Sequence, residues 1–80
     1  MTRADDEQRR ALAVLAENPD GCTRTSMLAR GFSLALLNRL VRVGLASSRL
    51  YWEEHDREPA AITRLTITEA GRRALGLRLL

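Results

Sequence analysis

Lysine is missing from this chain: all 13 basic side chains among its 80 residues are arginine, set against 10 acids and one histidine for a formal net charge of +3. Arginine alone suits bidentate contact with phosphate and guanine, but a GC-rich coding bias produces the same composition, so the charge permits polyanion binding without demonstrating it. Cysteine occurs once, at Cys22, which excludes an internal disulfide and fits a reducing compartment. Apolar runs extend only a few residues, far short of the roughly 20 that cross a bilayer, and the stretch Thr2-Arg3-Ala4-Asp5-Asp6-Glu7 is not patterned as a signal peptide. A cytoplasmic location without membrane association is expected.

Catalytic apparatus is equally scarce. His55 stands in a polar stretch with no second histidine and no matching cysteine, so no metal-ligand set forms around it. Cys22 has no base near it in sequence, as a catalytic thiol needs, and reads as a small buried hydrophobe. Neither a Gly-rich phosphate loop nor a paired-carboxylate arrangement is present. These absences point away from an enzyme and from a bound cofactor, and towards a binding function.

What is present has the balance of a folded chain, with 45 % hydrophobic and 29 % charged residues, and its length suffices for one small domain spanning 1–80. From Asp5 to Glu17, Ala11, Leu12, Leu15 and Ala16 recur at helical spacing behind an acidic first turn, which predicts a first helix. Asn18-Pro19-Asp20-Gly21 stops it, and Cys22 follows as a short extended segment. Thr23 or Thr25 caps a short second helix whose apolar face is Met27, Leu28 and Ala29. After Gly31-Phe32-Ser33, with Phe32 as a core plug and Ser33 as N-cap, a third helix runs from Leu34 to about Val43. Its apolar stripe is Leu36, Leu37, Leu40 and Val41, while Ala35, Asn38, Arg39 and Arg42 share the opposite face at i, i+3, i+4 and i+7.

Beyond a Gly44 C-cap the period changes. From Ala46 to Glu53 it alternates, with Ser48, Leu50 and Trp52 on one face and Arg49, Tyr51 and Glu53 on the other, and Trp52 is expected to pack into the core. Residues Glu54 to Ala60 are polar and contain Pro59, which predicts a hairpin loop, and Ile62 to Ile67 returns as a second strand. Thr68 then caps a closing helix over about 68–80, where Leu75, Leu77, Leu79 and Leu80 exceed what one short helix buries. Two readings of this excess stand side by side, a homodimer through the C-terminal helix and a frayed, partly exposed tail.

Three helices, a two-stranded hairpin and a closing helix make an α+β, mainly helical chain. Leu40-Val41-Arg42-Val43-Gly44-Leu45-Ala46 resembles the end of the recognition helix and the Gly-Leu lead into the wing of bacterial winged-helix transcriptional regulators. The segment from Arg64 to Leu75, through Thr66-Ile67-Thr68-Glu69-Ala70-Gly71-Arg72, is similar to their closure, where the second wing strand turns into a helix. The resemblance implies a winged helix-turn-helix domain, with the helix-turn-helix at about 24–43 and the wing at about 46–67. It implies a small protein that binds double-stranded DNA: Asn38 and Arg39 meet bases, Arg42, Arg30 and Arg24 meet phosphates, and Ala35 and Arg49 flank them. The segment 53–58 carries Glu53, Glu54, Asp56 and Glu58 against Arg57 alone, which favours an alternative, a winged-helix protein-interaction module that does not bind DNA.

Overall fold

The computed structural model describes residues 3–76. Helix α1 spans Arg3–Glu17 and turns through Asn18, whose side-chain amide donates to the Val14 carbonyl at 2.7 Å. Strand β1 is only Cys22–Thr23, followed by helices α2, Arg24–Ala29, and α3, Leu34–Arg42. The hydroxyl of Thr23 caps α2 by accepting from the Ser26 N–H, and that of Ser33 caps α3 by accepting from the Leu36 N–H, each at 3.1 Å. Strands β2, Ala46–His55, and β3, Glu58–Ile67, form a hairpin, and α4, Glu69–Ala74, closes the described chain.

The chain is an α+β arrangement of four helices and one antiparallel sheet ordered β1-β3-β2. The sheet has three strands instead of the expected two, because the extended Cys22–Thr23 pairs with Leu65 and Arg64 on the far side of β3. The expected loop of seven residues is also shorter. Only Asp56 and Arg57 turn, with φ of 51° and 69°, and the strands run straight up to them in register from His55↔Glu58 to Ala46↔Ile67. Two successive positive φ values give the twist that suits a tight hairpin. Pro59 is tolerated inside β3 because β1 stops short of it, so that among the described residues this part of β3 has no strand on its second side.

The core sits between α1, α3 and one face of the sheet. It comprises Ala11, Leu12 and Leu15 from α1, Met27 from α2, Leu36, Leu37 and Leu40 from α3, and Cys22, Ala46, Leu65 and Ile67 from the strands, with Phe32 and Leu75 packed partly against it. The α3 stripe is the one expected from its spacing. In α2 only Met27 is buried, whereas Leu28 is 41 % exposed and Ala29 is exposed, since three consecutive residues fan over most of a helical turn and cannot share one face. The described part of α4 is shorter than the expected 68–80, and Leu77, Leu79 and Leu80 lie outside the described residues.

Trp52 corrects the expectation more sharply: it is 70 % exposed and Leu50 beside it 64 %. Both project from the core-facing side of the hairpin, since Leu50 and Trp52 alternate in phase with the buried Ala46. Ten strand residues reach about 33 Å, but nine helical residues of α3 reach only about 13.5 Å, so the outer half of the hairpin overhangs the helices. No helix of the described residues is long and apolar enough to cross a membrane.

A single crossing ties these parts together. Helix α3 ends with Gly44 at φ +82°, where its N–H donates to the Val41 carbonyl at 3.1 Å and the Leu45 N–H donates to the Leu40 carbonyl at 2.9 Å. Thr68, at the end of β3, donates its N–H to the Leu45 carbonyl at 3.1 Å and its hydroxyl to the Gly44 carbonyl at 2.6 Å. The same hydroxyl accepts from the Gly71 N–H at 3.0 Å, capping α4. Gly71 is buried, and a side chain does not fit here, because a Cβ would run into the Leu45 carbonyl oxygen and come within 2.7 Å of Ile67.

Two substitutions test this packing. Leu40, fully buried, changed to Asp places an uncompensated charge in the core at a cost of several kcal/mol, comparable with the whole stability of so small a domain, and the far-ultraviolet circular dichroism should lose its cooperative melt. Gly71→Ala separates helix propensity from packing. Propensity alone raises stability by about 1 kcal/mol, whereas the clash with Leu45 lowers it by about 1 to 3 kcal/mol. The melting temperature is expected to fall, and a rise would show that α4 stands clear of Leu45.

Candidate nucleic-acid interface

Because Leu36, Leu37 and Leu40 are drawn into the core, Ala35, Asn38, Arg39 and Arg42 are all exposed on the far side of α3. The two edges of this polar face lead to different surroundings. On one edge Asn38 and Arg42 border a groove of about 480 Å³ whose other sides are Arg24 from the start of α2 and Ser48, Leu50 and Thr63 from the hairpin, with Leu37, Val41 and Leu65 as its floor. On the other edge Ala35 and Arg39 border a shallower hollow shared with Glu7, Ser33 and Leu36.

The fold therefore brings together only part of the arginine set. Arg24, Asn38 and Arg42 share one groove, and Ala35 and Arg39 lie on the same helix face but point their edge towards α1. Arg30 stands apart. It follows α2 as its C-cap and borders a separate groove of about 490 Å³ with Glu7, Arg10, Ala13, Val14 and Phe32. Arg49 is on the opposite face of the sheet, since it pairs with Arg64 across the hairpin while its neighbours in sequence, Ser48 and Leu50, line the groove.

Electrostatics separate these surfaces. The described residues of the α3–hairpin groove include two arginines and no acid, whereas Glu7 borders both of the other hollows. A polyanion placed along Asn38 and Arg42 meets no carboxylate within the groove. Negative charge is gathered instead at the hairpin end, where Glu53, Glu54 and Glu58 are exposed around the turn. Four acids and one arginine in residues 53–58 place −3 there, so the remainder of the chain carries +6 and the whole chain +3.

Behind the groove, on the opposite sheet face, Arg64 is held by two bonds: Nη1 donates to the Gly21 carbonyl at 3.2 Å and Nη2 to the Tyr51 hydroxyl at 3.1 Å. Its carbon Cζ lies 5.9 Å from the centroid of the Tyr51 ring. The bond to Tyr51, the largest influence, pushes the guanidinium above its ordinary value. Arg64 thus braces the hairpin against the β1 turn. Among the described residues no group of three His, Cys, Asp or Glu side chains converges as metal ligands do. Cys22 is a buried free thiol.

Ser48, Leu50 and Thr63 are groove residues that helix-centred reading of the sequence missed. A signal for them existed in the alternation itself: counting outward from Leu65 and Ile67 in steps of two leads to Thr63, and the register carries this to Leu50. Comparison of the chain with protein-family models, with curated proteins and with solved structures finds no match.

The overhang of the hairpin predicts a stability result. For the isolated chain at low concentration, Trp52→Ala should change unfolding free energy by no more than about 0.5 kcal/mol, as at an exposed site, and not by the roughly 3 to 5 kcal/mol of a core tryptophan. Urea titration followed by circular dichroism measures it, and a core-sized loss would place the ring inside.

Proposed function

We propose that this chain is a winged helix-turn-helix domain that binds double-stranded DNA, with α2 and α3 as the helix-turn-helix, the β2–β3 hairpin as the wing and α3 as the recognition helix. The observation that carries the reading is the groove in which Arg24, Asn38 and Arg42 face outward with no carboxylate among its described lining residues. An α-helix fits the major groove, which is about 12 Å wide, and the exposed face of α3 presents an amide and two guanidinium groups to it. In this reading Asn38 and Arg39 meet base edges, while Arg42 and Arg24 meet phosphates. Arg30 and Arg49, which lie away from the groove, contribute only to the general positive field. The function is binding and not catalysis, in the cytoplasm, where a single buried thiol needs no oxidising environment.

A second reading, a winged-helix module that binds protein in place of DNA, is favoured by one specific observation. The hairpin end joins exposed Trp52 to Glu53, Glu54 and Glu58, a combination that repels phosphate and suits a protein surface. The positively charged groove and this acidic end lie on different parts of the molecule, so the DNA reading takes the groove as its site and requires the tip to stand off the backbone.

A binding titration against mixed duplex DNA at several salt concentrations separates the two. Each neutralised phosphate contributes roughly −0.9 to the slope of log K against log salt. Arg42→Ala should weaken binding about equally for all sequences and reduce that slope by about one unit, whereas Asn38→Ala should mainly erode discrimination, by about 1 to 3 kcal/mol at the base it reads. Glu53→Gln with Glu54→Gln should change binding little, because in this reading the hairpin tip stands off the backbone. Absence of binding at low salt by the folded chain would eliminate the DNA reading.

A further inference from the structure

We infer that β2 is a self-association edge, through which two copies of this chain pair antiparallel across a two-fold axis at Tyr51. Among the described residues the sheet order β1-β3-β2 leaves the outer side of β2 without a strand over ten residues, in unbroken register with β3 and without proline or lysine to discourage pairing. Edges of this length are ordinarily shortened, bulged or covered. Along it every residue from Ser47 to Glu54 is exposed except the half-buried Tyr51.

The order of side chains selects both the partner and the register. If Tyr51 of one copy lies opposite Tyr51 of the other, Arg49 lies opposite Glu53 and, by symmetry, Glu53 opposite Arg49, giving two cross-strand ion pairs on one face. On the other face Leu50 lies opposite Trp52 twice, so the two large apolar side chains of the hairpin, exposed by 64 % and 70 %, cover each other. Moving the axis to Leu50 or to Trp52 sets Arg49 or Glu53 opposite Tyr51 and loses both ion pairs.

Backbone direction agrees with this register. Counting from the two-residue turn, alternate residues of β2 bond to β3, and Leu50, Trp52 and Glu54 direct their N–H and C=O groups outward, as Pro59, the partner of Glu54 and without an N–H, requires. Those outward residues are the ones that the Tyr51-centred register sets opposite one another, Leu50 against Trp52. The contact is isologous and closes at two copies. It also gives Arg49, which the fold holds away from the α3 groove, a partner of opposite charge.

The test uses the full chain without nucleic acid, so its outcome is independent of DNA binding. Light scattering and sedimentation from about 1 µM to about 1 mM, the range of small strand-addition interfaces, should show a monomer–dimer equilibrium. Emission of Trp52, the sole tryptophan, should shift to shorter wavelength as dimer forms. Arg49→Glu or Glu53→Arg alone should weaken association at least about tenfold, and the two together should restore it, which also shows that the altered positions are compatible with folding. Leu50→Thr, which keeps strand propensity, should weaken association without charge change. A chain that stays monomeric throughout, a dimer indifferent to charge reversal, or a dimer lost only on truncation after Gly76 would each overturn the inference, the last in favour of the leucine-rich C-terminus.

Discussion

One hydroxyl group holds the architecture at its crossing point. The Oγ1 of Thr68 donates to the carbonyl at the end of α3 and accepts from the N–H that opens α4, and the backbone N–H of Thr68 meets the Leu45 carbonyl. Three backbone groups at two helix ends and a strand start, which the helix and sheet ladders leave open, are thereby paired in one place. The hairpin leaves the helical body at Ala46 and returns at Ile67, so both of its roots are fixed by this crossing, and with them the width of the groove beside α3. The absence of a side chain at Gly71 is what lets α4 come this close.

From that anchor the molecule divides into a packed half and an overhanging half. Near the roots of the hairpin, Ala46, Leu65 and Ile67 are sealed beneath α1 and α3. Farther out the same sheet face continues past the α3 groove through Leu50 and Trp52, both exposed. Charge follows this division in part: Arg24 and Arg42 border the groove beside α3, and four of the ten acids lie in residues 53–58. The chain therefore presents two chemically distinct surfaces, and the two proposed readings correspond to giving priority to one or the other.

Much of the candidate site was legible along the chain. The N-caps Ser33 and Thr68, the buried stripe of α3 and its outward Asn38, Arg39 and Arg42 all follow from spacings of three and four residues, which are local and survive any tertiary arrangement. The hairpin strands were legible from alternation, but their lengths were not. Glu54, Glu58 and Pro59 look like loop residues, and only a turn with two positive φ values at Asp56 and Arg57 allows strand pairing to continue past them.

The order of the elements, the caps, the buried side of α3 and the lack of an internal disulfide all follow from local pattern and composition. Long-range packing places Cys22–Thr23 in the sheet and Trp52 in solvent, brings Arg24 to Asn38 and Arg42 but not Arg49, and among the described residues leaves the outer side of β2 without a strand. The reason is one of range. Helical and strand periods are set between neighbours in the chain, whereas the burial of a sheet face depends on which distant segment lies over it. At Trp52 a ten-residue strand outruns a nine-residue helix, a mismatch of lengths that no local pattern encodes.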